Sequence, residues 1–365
     1  MIDSTEGPWR PIQRDLLPML EEELGELGEK DKLFVRIAGL LRLGKFLSRY
    51  EWSGTGCPPH ERCKIFHALI AMTVYQFPTR EALIRAIRAQ PTLRRLCGWE
   101  SLNEVPSEST FCRAFAQFAA DKLNEQVLEA FVKEHCGPKL VGHISRDSTA
   151  IAARERSAGV VKPISVKNMR YKRGRPKKGE QRPPAPTPRL ELQPKRSLAD
   201  NLADLPQRCD SGGKRNSKGH MEYWRGYKLH LDVIDGDIPI SAVLTSASTH
   251  DTQVAIPLMQ MSSQRVKSLY QLMDAAYDAE EIRKYAHSLN QVTIIEPKQR
   301  GEWVPLAPAE RRRFHERSAS ERVNSLLKDS FGGRTVRVRG AAKVMCHLLF
   351  GVIVICAMNL WNRLC

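Results

Sequence analysis

From Lys139 onward the chain alternates short apolar runs with longer amphipathic stretches, and few architectures accept that order. KLVGHIS reads as a strand ending at Arg146-Asp147. GYKLHLDVI and DIPISAVLT are two more strands, joined at Asp235-Gly236, a dipeptide that favours hairpin turns. A helix follows His250-Asp251. Then come the strand SLYQLM up to Asp274, the helix YDAEEIRKYAHSLN, the strand VTIIEP and a helix over 314–329. Strands interleaved with helices bury both faces of a sheet, so this half is a mixed α/β domain with a central sheet. Residues 31–135 are helical in pattern instead. Thr79 is placed to cap TREALIRAIRAQ, and Phe111, Phe115 and Phe118 recur at i, i+4 and i+7.

Charge narrows the partner. Lys and Arg outnumber Asp and Glu by 57 to 41, a net +16 that favours a polyanion, nucleic acid before an anionic membrane. Residues 154–228 hold 20 Lys/Arg against 7 Asp/Glu, so most of the excess sits there. This insertion, about 155–222, has a middle rich in Pro, Gly and charge (YKRGRPKKGEQRPPAPTPR) and is expected to be disordered when unbound. Arg173-Gly174-Arg175-Pro176, followed by Lys177 and Lys178, resembles the core of an AT-hook, which lays arginines along a narrow minor groove. Unspecific phosphate binding needs only cations, and a solvated linker needs no partner at all. Arg80, Arg85, Arg88, Arg94 and Arg95 suit a small helical DNA-binding domain, and equally the surface of an ordinary bundle.

The polar start MIDSTEGPWR gives no signal-peptide pattern. VMCHLLFGVIVICAM is interrupted by His347 and is shorter than the roughly 20 residues a membrane span needs, so it reads as a buried helix. Nine cysteines are scattered without a CxxC pair, which fits a reducing cytosol and disfavours a disulfide framework or structural zinc.

Three carboxylates carry the chemistry. Asp147 and Asp274 each directly follow a predicted strand. Glu321 lies on the 314–329 helix, where Phe314, Arg317, Glu321 and Lys328 fall at roughly 0°, 300°, 340° and 320° around the axis. Ala319, Val323, Leu326 and Leu327 take the opposite side and read as its buried face. Magnesium prefers hard oxygen ligands and keeps positions open for water and phosphate. Two such ions about 4 Å apart can activate the attacking oxygen and stabilise the leaving oxygen of a phosphodiester. Three acids supply the charge that such a pair needs. Plainer readings stand beside this one. Asp147 could cap a turn, Asp278 rivals Asp274, Glu296 and Glu316 rival Glu321, and Arg317–Glu321 could be a solvated i, i+4 pair.

Taken together, these residues resemble the DDE-type transposases of bacterial insertion sequences, especially insertion-sequence families four and five. The family signature Tyr-x2-Arg-x3-Glu-x6-Lys has its spacing here as Phe314-x2-Arg317-x3-Glu321-x6-Lys328, with Phe in place of Tyr. Its D-x-x-Y-D segment matches Asp274-Ala275-Ala276-Tyr277-Asp278, and its D-S/T-T segment matches Asp147-Ser148-Thr149. A His-Asp pair after the third strand matches His250-Asp251, and LRRLCGWESLNEVPSESTFCRAF is similar to the family's N-terminal domain.

The resemblance implies a ribonuclease H-like catalytic domain, a five-stranded mixed sheet flanked by helices, preceded by an all-helical N-terminal domain. The expected divisions are an acidic segment at 1–30, a helical DNA-binding domain at 31–138 and the catalytic domain at 139–365. It further implies that Asp147, Asp274 and Glu321 bind two Mg2+ ions, with Mn2+ as a substitute. Arg317 and Lys328 would contact DNA, with Phe314, Tyr277, His250 and Asp251 in support. The implied activity is binding of terminal inverted repeats, metal-dependent strand cleavage, and joining of the 3′-hydroxyl to target DNA. Its partners would be double-stranded DNA at transposon ends and target, and a second copy in a homodimeric synaptic complex. No membrane is involved, and the setting is the bacterial cytoplasm at the nucleoid. A nuclease of the same fold, or a non-catalytic DNA-binding relative, are the rival readings.

Overall fold

The computed structural model describes residues 11–52, 54, 58–157, 187–215, 218–296 and 305–364. The strands are β1 (Leu140–Ala152), β2 (Asp210–Arg215), β3 (Met221–Ile234), β4 (Ile238–Ser246), β5 (Lys267–Met273) and β6 (Val292–Ile295). They form one sheet in the order β2-β3-β1-β5-β6, with β4 also paired to β3. β1 runs antiparallel to β3 and parallel to β5, and β5 runs parallel to β6. The expected five strands are six because β2 and β4 take the same edge of β3 in succession. β2 pairs with Met221–Gly226 and β4 with Tyr227–Ile234. The β3–β4 connection holds Gly236 at φ 83° and Asp237 at φ 58°, the left-handed conformations that the Asp-Gly signal anticipates.

β2 lies inside the stretch expected to be disordered, and the longest described part of that stretch, 187–215, is folded against the rest of the chain. Helices Arg189–Leu192 and Leu198–Asp204 sit in it. They are fastened by Leu190, Leu202 and Leu205, which pack on the apolar clusters of the Thr252–Ser263 helix, and by polar contacts to the same helix, neither of which the local composition reveals. Gln193 Nε2 donates to the Gln253 carbonyl at 2.7 Å, and Asn201 Nδ2 donates to Gln260 Oε1 at 2.9 Å. Arg173, Arg175, Lys177 and Lys178 lie outside the described residues.

Helices cover both faces of the sheet. On one, Ala255, Ile256 and Met259 of the Thr252–Ser263 helix pack with Ile282 and Ala286 of the Glu280–Ser288 helix, over Met273 and Ile295. On the other lie the Ser318–Ser330 and Ala341–Leu364 helices, and against the latter the N-terminal helices. The Ala341–Leu364 helix has 24 residues, longer than the apolar run suggests. Its residues Ala341–Arg363 are long and apolar enough to cross a membrane, but the helix is largely buried inside the protein. Phe350 packs on Phe66 and Phe115 with ring centroids 5.0 and 6.3 Å apart, and Asn124 Nδ2 donates to the Cys346 carbonyl at 3.0 Å. One continuous core therefore runs from Ile12 to Trp361 through helical region and sheet alike.

In the helical region Phe111, Phe115 and Phe118 are all buried. Several arginines read as a DNA face have partners within the chain. Arg80 stacks on Phe115 at 4.9 Å, Arg85 pairs with Glu81 at 2.6 Å, and Arg95 pairs with Glu100 at 3.4 Å. Thr79 Oγ1 accepts from Ala82 N at 3.1 Å, the capping bond expected for the Arg80–Ala89 helix. Thr79→Ala should cost about 1 kcal/mol, measured as a lowered denaturation midpoint. An unchanged midpoint would mean the cap adds nothing in this setting.

Candidate active site

β1 does not end at Asp147 as its sequence suggests. It continues to Ala152 because β3 pairs with it up to Ala152↔Gly226. What ends near Asp147 is the other neighbour, since the β1–β5 register closes at Ser145↔Leu272. Two residues further, the same register sets Asp147 beside Asp274, and adjacent strands lie only about 4.8 Å apart. Arg146 Nη1 lies 3.4 Å from Met273 Sδ, one step earlier on both strands. Asp147 and Asp274 thus share one face of the sheet, next to each other, where β5 turns into the short Ala275–Tyr277 helix.

The third acid arrives on that face from the far end of the chain. The expected continuous 314–329 helix is broken into Pro308–Phe314, a tight turn of helix at His315–Arg317, and Ser318–Ser330. The break is pinned to β1. Ser145 Oγ donates to the Arg317 carbonyl at 2.6 Å and lies 2.7 Å from Ser320 Oγ. The stripe survives the break. Arg317 sits over the Phe314 ring at 5.6 Å and donates from Nη2 to Glu321 Oε1 at 2.5 Å. Ala319, Val323 and Leu327 are buried and Leu326 is partly buried, as their side of the helix requires. Asn324, one turn beyond Glu321, donates from Nδ2 to Asp147 Oδ2 at 3.0 Å.

The electrostatics reflect this crowding. Burial pushes the Asp147 carboxyl up to about 6, with the Asp274 and Glu321 charges adding to the shift and the Ser148 N–H and Arg317 opposing it. Burial likewise raises Asp274, helped by Asp251 and Glu296, against the Ala276 N–H that donates to its Oδ1 at 2.9 Å and against Arg317. Burial holds the Lys328 ammonium below its ordinary value, as do Lys214 and Arg334, while Asp147 pulls it up. Tyr277 is buried, and its hydroxyl has no hydrogen-bond partner among the described residues. Its pKa is raised well above the ordinary value by burial first and then by the charges of Asp251 and Asp147. Asp251 pairs with Lys228 at 3.1 Å and faces the buried His230 at 3.7 Å. His250 instead holds Thr252 Oγ1 at 2.9 Å, at the start of the following helix.

The donor set suits a hard divalent cation in part. Asp147 and Asp274 present carboxylate oxygens side by side, at a place where burial and mutual repulsion disfavour their charge, and a cation would relieve both. Glu321 is 53% exposed and spends its charge on Arg317, so it joins the pair only by releasing that contact. Accordingly, among the described residues no three His, Cys, Asp or Glu side chains are grouped closely enough to hold a metal ion.

Three residues that sequence reasoning passes over support this geometry. Asn324 and Ser320 lie within one turn of Glu321 on either side, the only local signal they give. Arg146 is the third, and looks in sequence like one more cation beside an acid. It is fully buried on the opposite face, where Nε and Nη2 bind Asp232 Oδ1 and Oδ2 at 2.8 and 2.7 Å. Ser262 Oγ donates to the same carboxylate at 2.6 Å.

Two family models match the chain. Residues 147–360, more than half of it, match "Transposase DDE domain", and residues 22–117 match "Transposase domain (DUF772)". The first match begins at Asp147 and includes Asp274 and Glu321. No curated protein and no solved structure matches the chain.

Proposed function

Since this chain belongs to the DDE-domain transposases, enzymes that act on DNA in transposition, we propose that it cuts and joins the ends of its own insertion sequence. The observation that carries the reading is the β1–β5 register, which brings Asp147 level with Asp274, with the helix that bears Glu321 fastened to β1 through the Arg317 carbonyl and the Asn324 amide. The order β4-β3-β1-β5-β6, with helices on both faces, supports a ribonuclease H-like catalytic domain. The Phe314, Arg317, Glu321 and Lys328 spacing supports insertion-sequence families four and five.

In this reading Asp147, Asp274 and Glu321 hold two divalent ions, Mg2+ or in its place Mn2+. When bound, these lower the pKa of water and stabilise the leaving oxygen of a phosphodiester. Asp147, within β1, and Asp274, directly after β5, set the position of the scissile phosphate. Arg317, anchored through its carbonyl to Ser145, and Lys328, flanked by Lys214 and Arg334, hold DNA phosphates. Glu321 trades Arg317 for the site when DNA arrives, which frees the guanidinium for phosphate. Water adds to phosphorus and the 3′-oxygen leaves as a hydroxyl. That hydroxyl then attacks a target phosphodiester, breaking one P–O bond as it makes another. The helical region takes part in end recognition. Two copies act in a synaptic complex, at the nucleoid in the bacterial cytoplasm.

The test uses the full-length protein, a pre-cut terminal repeat and a supercoiled target in Mg2+. Joined product is expected. Cleavage without joining would favour the nuclease, and no metal-dependent nicking of any cognate end would favour a binding protein.

The segment 158–186 holds nine Lys/Arg and one Glu, and serves as a sequence-tolerant phosphate grip in this reading. Deleting it should flatten the dependence of log K on log salt by several units of slope, at about 0.9 for each phosphate that is no longer neutralised. A salt titration with an unchanged slope would remove it from the DNA path.

A further inference from the structure

We propose that Asn324 is a fourth oxygen donor to the cation site, through its side-chain carbonyl Oδ1. The inference rests on the reading of Asp147, Asp274 and Glu321 as cation-binding acids and extends it by one residue. Asn324 is 6% exposed and belongs to the Ser318–Ser330 helix, one turn beyond Glu321. Its Nδ2 donates to Asp147 Oδ2 at 3.0 Å. Its Oδ1 is buried and has no hydrogen-bond partner among the described residues. A buried amide oxygen left without a donor costs about 1–3 kcal/mol, so its retention calls for a cation or a donor from outside the chain. The two amide heteroatoms share one carbon, so Oδ1 stands close to the Asp147 carboxylate. Nδ2 takes up one lone pair of Asp147 Oδ2, and the unpartnered Oδ1 beside it remains an acceptor complementary to a positive charge. Neutral amide carbonyls are also hard ligands of the kind that divalent magnesium and calcium accept. The division of labour is then complete. Nδ2 fixes the rotamer of Asp147, and Oδ1 supplies an oxygen without adding a fourth negative charge to a crowded site.

Mn2+ titration calorimetry on the full-length protein without DNA tests this independently of catalysis. Asn324→Leu removes both the donor and the oxygen, and should weaken Mn2+ binding 10–100-fold. Asn324→Asp removes the amide donor but keeps an oxygen in the same place, and should bind Mn2+ within about threefold of the wild type or more tightly. A residue that merely holds Asp147 through Nδ2 predicts equal weakening in both variants, since neither retains that donor. Equal weakening, or undiminished binding in Asn324→Leu, overturns the proposal. Asn324→Ala replaces Asn324→Leu if circular dichroism shows the latter unfolded. Asp147→Asn is run in parallel. Wild-type Mn2+ affinity in that variant would sink the reading of the acids themselves, whereas its loss alongside undiminished binding in Asn324→Leu sinks the role of Asn324 alone.

Discussion

Asp147→Ala, and separately Glu321→Gln, should each slow strand cleavage in Mg2+ by about a thousandfold, while binding of the terminal repeat stays within a few-fold of the wild type. A thousandfold corresponds to about 4 kcal/mol of transition-state stabilisation. That is what polarising a phosphoryl oxygen and generating a nucleophile are asked to supply together. The two variants reach this loss differently. Asp147 is half-buried beside Asp274 and accepts from Asn324, so its removal opens the middle of the site. Glu321 is half exposed and bonded to Arg317, so the neutral Gln leaves the fold untouched and releases that arginine. Glu321→Gln should therefore bind DNA as well as the wild type or better, which makes it the cleaner separation of binding from chemistry. Gel-shift and cleavage assays on one preparation decide the matter. Near-normal cleavage in either variant removes that acid from the site, and Asp278 or Glu296 becomes the residue to test.

The second large effect is on stability. Arg146→Met should destabilise the protein by about 3–5 kcal/mol, because it strands the Asp232 carboxylate in the interior. Against a typical total of about 5–15 kcal/mol, that is a large fraction. Both partners are fully buried and joined by two hydrogen bonds, so there is no solvent to take over when one is removed. Asp232→Leu should cost a comparable amount by leaving the guanidinium alone. The double variant Arg146→Met with Asp232→Leu should recover most of the loss, since an apolar pair of similar volume is often neutral or better. Urea denaturation of the three variants completes the cycle. Additive losses would show that the two residues do not act as a pair.

Arg146 also marks the limit of what the sequence yields. The positions of Asp147 and Asp274 near the β1–β5 junction were legible because each follows an apolar run, a local pattern, whereas Glu321 was singled out by helical spacing alone. The buried face of Ala319, Val323 and Leu327 was legible for the same reason, periodicity within a few residues. Arg146 and Asp232 are 86 residues apart and meet only through the β1–β3 register. Asn324 and Asp147 are separated by 177 residues. No composition or spacing encodes such pairs. The overrun of β1 past Asp147 is hidden because the residues from Asp147 to Thr149 are polar, and only β3 alongside makes a strand of them. The break at His315–Arg317 has a distant cause too, the Ser145 hydroxyl that takes the Arg317 carbonyl. The order of 187–215 was hidden because the few leucines and amides that hold it, Leu190, Leu202, Leu205, Gln193 and Asn201, find their partners about 50–60 residues away on the Thr252–Ser263 helix.

The Ala341–Leu364 helix imposes an order of events on the making of this protein. A ribosome releases it after everything it packs against. Phe66, Phe115 and Asn124 are synthesised early, and each waits for a partner, Phe350 or Cys346, more than two hundred residues behind it. The helical region cannot close its core until that helix has been made, so the nascent chain carries exposed apolar surface through most of translation. A frameshift or stop codon anywhere upstream of residue 341 leaves that surface open to chaperones and proteases.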